Sequence, residues 1–323
     1  MNADKLVSIV VAAYNESENV SKMYQEVRKH LSAESNPIEI IFVDDGSKDD
    51  TAGRVLDLRQ QDPCVRLVRL SRNFGNQAAF LAGIQSARGE AIITMDCDLQ
   101  HPPSILPQML EAWRGGAGLV QMERRQNTDA SRFHRTCSKL FHTVLRKLTD
   151  IPLRAGVGDF RLMNRKVADL IVKFGVSRPF FRGMPVWLGL PSQTILYDAG
   201  PRHAGRAPLN FMKRIELSLD AITALSVRPL RLAFLLGACA ITLCLIYSLF
   251  TLVAYLAGYS VPGYPTLIFV IVFLGAIQLI SIGILGEYLG RIHEQSRRLP
   301  PYVLLDDRRE NGSDGSDKQS PSP

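Results

Sequence analysis

The 323-residue sequence is poor in cysteine and tryptophan, with five and two copies. The cysteines are odd in number, widely scattered and without a C-x-x-C pair. This usage excludes a disulfide scaffold and argues against a cysteine-based zinc site, and it fits a reducing cytoplasm. We predict that they serve as small hydrophobic side chains. They are Cys64, Cys97, Cys137, Cys239 and Cys244.

Several sequence motifs of common enzymes are also missing. There is no G-x-x-x-x-G-K-[ST], G-x-G-x-x-G or H-E-x-x-H segment, which argues against a P-loop NTPase, a dinucleotide-binding enzyme and a zinc protease. The net charge is +7, but no recognisable nucleic-acid module accompanies it, so we expect no nucleic-acid partner. The N-terminal apolar run, Leu6 to Ala13, is short, and we expect no signal peptide.

Charge is almost missing from residues 232–290, where Glu287 is the single formal charge. Two apolar stretches, near 232–257 and 265–289, are each about 25 residues long, or roughly 37 Å as helices, which exceeds a hydrocarbon core of about 30 Å. Two buried core helices are the alternative, but they would need a still larger apolar shell. We therefore predict a transmembrane helical hairpin.

Arginines flank the predicted hairpin on both sides: Arg228, Arg231, Arg291, Arg297 and Arg298. We predict a multi-pass protein of the plasma (inner) membrane. The positive-inside bias places both termini and the N-terminal domain in the cytoplasm. Two basic amphipathic segments, 130–148 and 209–231, are predicted to lie on anionic lipid headgroups; a solvated basic face is the plainer alternative.

These patterns divide the chain into four parts. We predict a cytoplasmic domain over 1–208, an interfacial helix over 209–231, the hairpin over 232–290, and a cytoplasmic tail over 291–323. The tail is rich in Asp, Gly, Ser, Pro, Lys and Arg from about residue 306 and should be disordered from there.

Within residues 1–208, short β-type runs alternate with helical patterns. This alternation predicts an α/β fold with a mostly parallel sheet and helices on both faces. The predicted strands are Val7–Ala13, Glu39–Val43, Val65–Leu70 and Ala91–Met95, and the predicted helices are Ser17–Ser32, Asp49–Gln61, Asn76–Ala87 and Ser104–Trp113.

Four carboxylates follow the predicted strands: Glu16, Asp45, Asp96 and Asp98. The carboxyl ends of parallel strands share one edge of a sheet, where ligands bind. Like charges repel unless a cation gathers them, and carboxylate oxygens suit Mg²⁺ or Mn²⁺ bound together with substrate phosphates. Helix capping by Glu16 and Asp45 is the alternative interpretation.

The order of the motifs resembles that of the family 2 (GT-A fold) polyprenyl-phosphate glycosyltransferases, such as dolichol-phosphate mannose synthase and the bacterial two-helix undecaprenyl-phosphate glucosyl and aminoarabinosyl transferases. The resemblance covers about residues 6–303. The motifs are Tyr14-Asn15-Glu16, Val43-Asp44-Asp45-Gly46-Ser47, Arg72-Asn73-Phe74-Gly75, Asp96 to Pro103, Gly158-Asp159-Phe160-Arg161, and Leu285 to Arg291 at the end of the hairpin.

The resemblance implies roles for individual residues. Nucleotide-sugar binding falls to Ala12, Tyr14, Glu16, Val43, Asp45, Asp96, Gln100, Arg202 and Arg206. Metal binding falls to Asp96 and Asp98, and catalysis to Asp98, Asp159 and Arg161.

Three positions depart from the family pattern. Ala12 replaces a usual proline, and Asn76 stands where a basic residue is common. The family's Arg-x-x-G-x-S-K-Y corresponds to Arg202–Leu209, which lacks the Ser-Lys-Tyr, so we expect Arg206 to supply the missing positive charge.

The activity implied by this resemblance is inverting transfer of one sugar, UDP-glucose being the favoured donor, to polyprenyl (undecaprenyl) phosphate. Two alternatives stay open. A processive polysaccharide synthase would need a Q-x-x-R-W element, which is absent. A catalytically impaired membrane scaffold or lipid-carrier binding protein on the same fold is motivated by the lost Ser-Lys-Tyr. The sequence is compatible with a homo-oligomer.

Overall fold

A computed structural model describes residues 4–125, 156–174, 184, 188–198, 228–258, 263–297 and 299–305. The predicted basic helix at 130–148, residues 209–227 of the predicted interfacial helix and the tail beyond 305 lie outside these ranges.

The N-terminal domain contains one seven-stranded sheet in the order β3-β2-β1-β4-β6-β5-β7. The strands are β1 (Val7–Ala13), β2 (Ile38–Asp44), β3 (Val65–Arg69), β4 (Ala91–Asp96), β5 (Leu119–Arg124), β6 (Val157–Asn164) and β7 (Gln193–Tyr197). The helices of this domain are α1 (Ser17–Leu31), α2 (Thr51–Gln61), α3 (Asn76–Ser86), α4 (Leu106–Arg114) and α5 (Arg165–Phe174), with a 3₁₀ turn at Pro103–Ile105.

Burial on both faces of the sheet explains why β1 and β2 are nearly continuous apolar runs in the sequence. Every residue of β1 is buried, because helices cover both faces of the sheet. Ile9 and Val11 pack with α1, α2 and α4 on one face, whereas Val10 and Ala12 pack with α3 and α5 on the other. The result is a three-layer α/β domain.

The predicted α/β fold with a mostly parallel sheet is confirmed. The first four strands and first four helices occur within two residues of their predicted bounds. The sheet continues beyond them: β6 runs antiparallel to β4 and β5, and β7 pairs in parallel with β5. Because β6 lies beside β4, the Gly158–Arg161 motif is next to the strand that ends in Asp96.

Two long apolar helices follow, α6 (Arg228–Leu256) and α7 (Tyr264–Ser296). Each contains a stretch long and apolar enough to cross a membrane, Ala233–Ala254 and Val270–His293, and these stretches are almost wholly exposed. Pro229 and Pro265 are tolerated because each stands in the first turn of its helix. Exposed apolar helices of this length fit the predicted hairpin.

A buried ionic network closes the amino-terminal edge of the sheet. Glu39 accepts hydrogen bonds from Ser8 Oγ (2.6 Å), the backbone N–H of Arg88 (2.7 Å) and the guanidinium of Arg66 (2.7 Å). Burial alone would raise the pKa of Glu39, but these donors hold the pKa below its ordinary value. The network joins β1, β2, β3 and the turn before β4.

We expect Glu39→Gln to lower the free energy of unfolding by about 1–3 kcal/mol at pH 7, since it leaves Arg66 without its charged partner. A depressed carboxyl pKa stabilises the fold above the unfolded value of about 4.3, and this stabilisation is lost as pH falls through the folded-state pKa. The difference in the free energy of unfolding between the unaltered chain and Glu39→Gln should therefore shrink below about pH 4. Thermal unfolding across pH measures it, with the surface variant Glu26→Gln as control.

Candidate active site

A cleft of about 310 Å³ lies at the carboxyl edge of the sheet. Three strand ends form it, since β1, β2 and β4 are adjacent parallel strands. It is lined by Ala12, Ala13, Tyr14, Glu16, Asp45, Asn73, Gly75, Asn76, Asp96, Cys97 and Asp98. The predicted gathering of the four carboxylates Glu16, Asp45, Asp96 and Asp98 is thus observed.

The loops after β1 and β2 hold one another in place. The backbone N–H of Asn15 donates to Ser47 Oγ (2.9 Å), and Asn15 Oδ1 accepts from the backbone N–H of Lys48 (2.8 Å). Asn15 has a φ of 54°, a left-handed conformation that asparagine tolerates better than most residues. Tyr14 and Glu16 are thereby fixed on either side of a constrained turn.

Asp45 organises the loop between β3 and α3. Its two carboxylate oxygens accept the backbone N–H groups of Phe74 (2.7 Å) and Gly75 (2.9 Å), and the residue is 3% exposed. Burial is the main reason that the pKa of Asp45 is raised, against the opposing effect of these two bonds. We call residues 71–76 the cleft loop. Its last residue, Asn76, donates to Asp96 Oδ1 (2.8 Å).

The Asp-x-Asp segment forms a tight turn at the end of β4. Asp98 Oδ1 accepts the backbone N–H of Gln100 (3.0 Å), and Leu99 has a φ of 62°. The backbone N–H of Asp96 donates to Nδ1 of His101 (3.0 Å). His101 thus closes the turn that presents both carboxylates.

His101 also connects this turn to β6. Its ring stacks on Phe160, with centroids 4.7 Å apart and planes 16° from parallel, and Tyr197 meets both rings edge-on. Thr94 on β4 donates its hydroxyl to the backbone carbonyl of Asp159. The Asp-x-Asp turn and the Asp159 segment therefore form one packed unit.

Asp159 and Arg161 lie on β6, beside the strand that ends in Asp96, and are 3% and 1% exposed. The Arg161 guanidinium donates to the carbonyl of Gly158 (3.0 Å) and lies 3.5 Å from Asp159 Oδ1. A buried carboxylate paired with a buried guanidinium is held in one orientation. The catalytic role that the resemblance implies for Arg161 stays a prediction, and its described contacts hold Asp159 in one orientation.

The carboxylates crowd one another electrostatically. Burial, together with Asp98 and Asp159, raises the pKa of Asp96, while His101 and Asn76 oppose the rise. Among the described residues, no three His, Cys, Asp or Glu side chains form a group able to hold a metal ion by themselves. A pair of carboxylates still fits Mg²⁺ or Mn²⁺, because these ions commonly use one or two carboxylates and take further ligands from substrate phosphates and water.

Two family profiles match the chain. The profile "Glycosyl transferase family 2" matches residues 8–171, and the profile "GtrB C-terminal hairpin" matches residues 228–292. The chain belongs to glycosyltransferase family 2. The predicted family resemblance is confirmed, and α6 and α7 together are the hairpin that the second profile describes.

Several glycosyltransferases are similar to this chain over nearly its whole length. The bactoprenol glucosyl transferase of Shigella phage SfV is 35% identical over 94% of this chain and 99% of its own length. A prophage bactoprenol glucosyl transferase homolog of Escherichia coli K12 is 35% identical over 92% and 98%. Among solved structures, mannosyl-3-phosphoglycerate synthase of Rubrobacter xylanophilus is 17% identical over 68% and 73%, with a TM-score of 0.47.

Not every predicted residue of the transferase site faces the cleft. Val43 is fully buried in the core beneath α3, and Gln100 contributes its backbone N–H to the Asp-x-Asp turn. Arg202 and Arg206 lie outside the described residues. The residue roles that the resemblance implies stay predictions.

Sequence reasoning assigned no role to three residues that shape the site. Asn73 and Gly75 line the cleft, and His101 holds the Asp-x-Asp turn. The Arg72-Asn73-Phe74-Gly75 motif was a usable signal for the first two. His101 lies inside the Asp96 to Pro103 motif, but its ring contacts with Phe160 and Tyr197 come from other strands and have no sequence signal.

Gly46 allows the cleft loop to approach β2. Its φ is 68°, and a Cβ at this position would lie 2.4 Å from the backbone carbonyl carbon of Arg72. We expect Gly46→Ala to displace the cleft loop and to raise the KM for the sugar donor at least about tenfold, with a stability loss of about 1–3 kcal/mol. Gly116→Ala is the matched control, since Gly116 also has a positive φ but has nothing within 4 Å of its Cβ position.

Proposed function

We propose that this family 2 glycosyltransferase moves one sugar from a nucleotide-sugar donor to a polyprenyl phosphate, with inversion, at the cytoplasmic membrane face. The observation that carries the proposal is a carboxylate-rich cleft in a chain that also has an exposed apolar hairpin. A water-soluble acceptor would not require an apolar hairpin. An amphipathic acceptor resides in the bilayer, so an enzyme that binds it must be held at the membrane surface. The activity in the names of the Shigella phage and E. coli relatives supports the same acceptor class.

The donor side of the mechanism uses the residues that line the cleft. Tyr14, Glu16 and Asp45 are proposed to hold the base and ribose of the donor. Asp96 and Asp98 are the residues that would hold a divalent cation, with their carboxylates presented by the turn that His101 closes. Bound Mg²⁺ or Mn²⁺ supplies positive charge against the departing diphosphate.

The acceptor side requires little proton chemistry. An acceptor phosphate oxygen attacks the anomeric carbon as the bond to the donor diphosphate breaks, which inverts that carbon. A phosphomonoester has a second pKa near 6, so the nucleophile is largely dianionic at neutral pH. We propose that Asp159 positions the acceptor or takes the proton of the residual monoanion, and that Arg161 keeps the Asp159 carboxylate oriented.

A metal-dependence assay in membranes tests this function. Release of free nucleoside diphosphate is measured with a panel of UDP- and GDP-sugars, with and without undecaprenyl phosphate and with divalent cations or chelator. Release that needs both acceptor and cation is expected. A processive synthase would instead release many equivalents per acceptor, and a scaffold would release none; either outcome contradicts the proposal.

We propose that both ends of the hairpin face the cytoplasm, on the evidence of the arginines that flank it. Single-cysteine labelling in intact cells tests this orientation in a background without native cysteines. Ser260→Cys, between the two helices, should react with an impermeant reagent, whereas Ser313→Cys in the tail should not. Protection of the first or labelling of the second would overturn the orientation.

A further inference from the structure

The chain returns to the N-terminal domain after the hairpin. α7 ends at Ser296, and residues 303–305 then pair with residues 69–71 at the end of the edge strand β3. The backbone N–H of Ser71 donates to the carbonyl of Val303 (2.9 Å), and the N–H of Leu305 donates to the carbonyl of Arg69 (2.9 Å). These two bonds flank the antiparallel bridge between Leu70 and Leu304.

A side chain fixes this segment from a second direction. The Tyr302 hydroxyl donates to Gln85 Oε1 on α3, and its ring packs against the same core cluster that Phe74 contacts. Burial raises the pKa of Tyr302, consistent with a ring held against the domain. We call residues 299–305 the strap.

The strap is bonded where the cleft loop begins. Ser71 is the first residue of that loop, and Phe74 and Gly75 within it donate to Asp45. The far end of the loop, Asn76, donates to Asp96. The loop is therefore held by the strap at its start and by the cleft carboxylates further along.

The strap is also joined closely to the second apolar helix. It begins at Leu299, three positions after α7 ends, and contains Pro300 and Pro301. Consecutive prolines favour an extended, stiff backbone, which fixes the distance between α7 and the strap better than a flexible linker would. A strand added to an exposed sheet edge gains affinity from main-chain hydrogen bonds, and the side-chain contact of Tyr302 with Gln85 fixes its register.

We propose that the strap is a positioning segment for the cleft loop, so that a donor-competent cleft depends on the chain that leaves the membrane hairpin. Its effect on catalysis rests on the proposed function, but its effect on the loop does not. The loop contributes Asn73, Gly75 and Asn76 to the cleft wall, and loss of the Ser71–Val303 bond frees one end of it.

Two truncations of the full chain isolate the strap. A chain ending at Leu305 keeps it, and a chain ending at Arg297 removes it while keeping both apolar helices. We expect amide hydrogen exchange at residues 71–75 to be unchanged in the first and at least about tenfold faster in the second, because the opening free energy of the loop falls. Donor KM should rise several-fold in the second chain, with a smaller change in kcat.

A point variant covers the case in which the shorter chain does not fold. Leu305→Pro removes the N–H that bonds Arg69, and Leu305→Ala keeps that N–H with a similar loss of side chain. Faster exchange in the proline variant alone supports the strap, whereas equal exchange at residues 71–75 in both variants overturns it. Faster exchange in chains that transfer no sugar at all would uphold the strap and contradict only the proposed function.

Discussion

Replacing Asp98 by asparagine is expected to lower kcat/KM for sugar transfer roughly a thousandfold. The Asp98 Oδ1 atom caps the backbone N–H of Gln100 at 3.0 Å, and an asparagine oxygen can accept the same bond. The substitution therefore removes the charge while leaving the turn folded. Initial rates at saturating undecaprenyl phosphate, over a range of donor and divalent cation concentrations, measure the effect.

The metal dependence of the Asp98→Asn variant distinguishes loss of the carboxylate charge from a change in the shape of the turn. Asp98→Asn should also require a higher cation concentration for half-maximal rate, and its donor affinity in chelator should match that of the unaltered chain. Asp57→Asn, an exposed acid on α2, is the control and should change neither quantity. Transfer by the unaltered chain at full rate in chelator would show that the two aspartates do not serve a cation.

Asp159→Asn is expected to lower kcat about a hundredfold to ten-thousandfold with little change in donor KM. The residue is 3% exposed and is not one of the residues that line the cleft, so its loss should leave nucleotide binding intact. Asparagine retains the size of the side chain and an oxygen that faces Arg161. Steady-state kinetics with separate variation of donor and acceptor distinguishes the two parameters.

The pH profile distinguishes the two roles proposed for Asp159. As pH falls below about 6 the acceptor phosphate becomes a monoanion. If Asp159 is a base, the deficit of Asp159→Asn should grow as pH falls; if it only positions the acceptor, the deficit should be the same from pH 5.5 to 8. Asp169→Asn, on the exposed side of α5, is the control. A deficit below about threefold at every pH would contradict both roles.

The first half of the domain could be predicted because its signals are local. β1, β2 and β4 are mostly apolar runs buried on both faces, β3 has buried residues next to half-buried ones, and α1 has regular apolar spacing. The strand-end carboxylates could be placed together because parallel strands share a direction. β6 was recognised as a motif but not as a strand, since Asp159 and Arg161 are charged residues buried in its interior.

Several contacts that shape the site join residues far apart in the chain. The two N–H groups that bind Asp45 come from Phe74 and Gly75, 29 and 30 positions away. The bond between Tyr302 and Gln85 spans 217 positions across the hairpin. Propensity and periodicity report on residues within one element, so neither could show that the chain returns to the cleft loop after the two apolar helices.

The lipid product gives the most direct test of the central claim. Purified full-length protein in undecaprenyl phosphate-containing liposomes is supplied with its preferred nucleotide sugar and a divalent cation, and the extracted lipid is analysed by mass spectrometry and by the anomeric configuration of its sugar. We expect one sugar per polyprenyl phosphate, with the configuration opposite to that of the donor. A lipid carrying several sugars, a retained configuration, or free sugar with no glycosylated lipid would contradict a single inverting transfer to the lipid carrier.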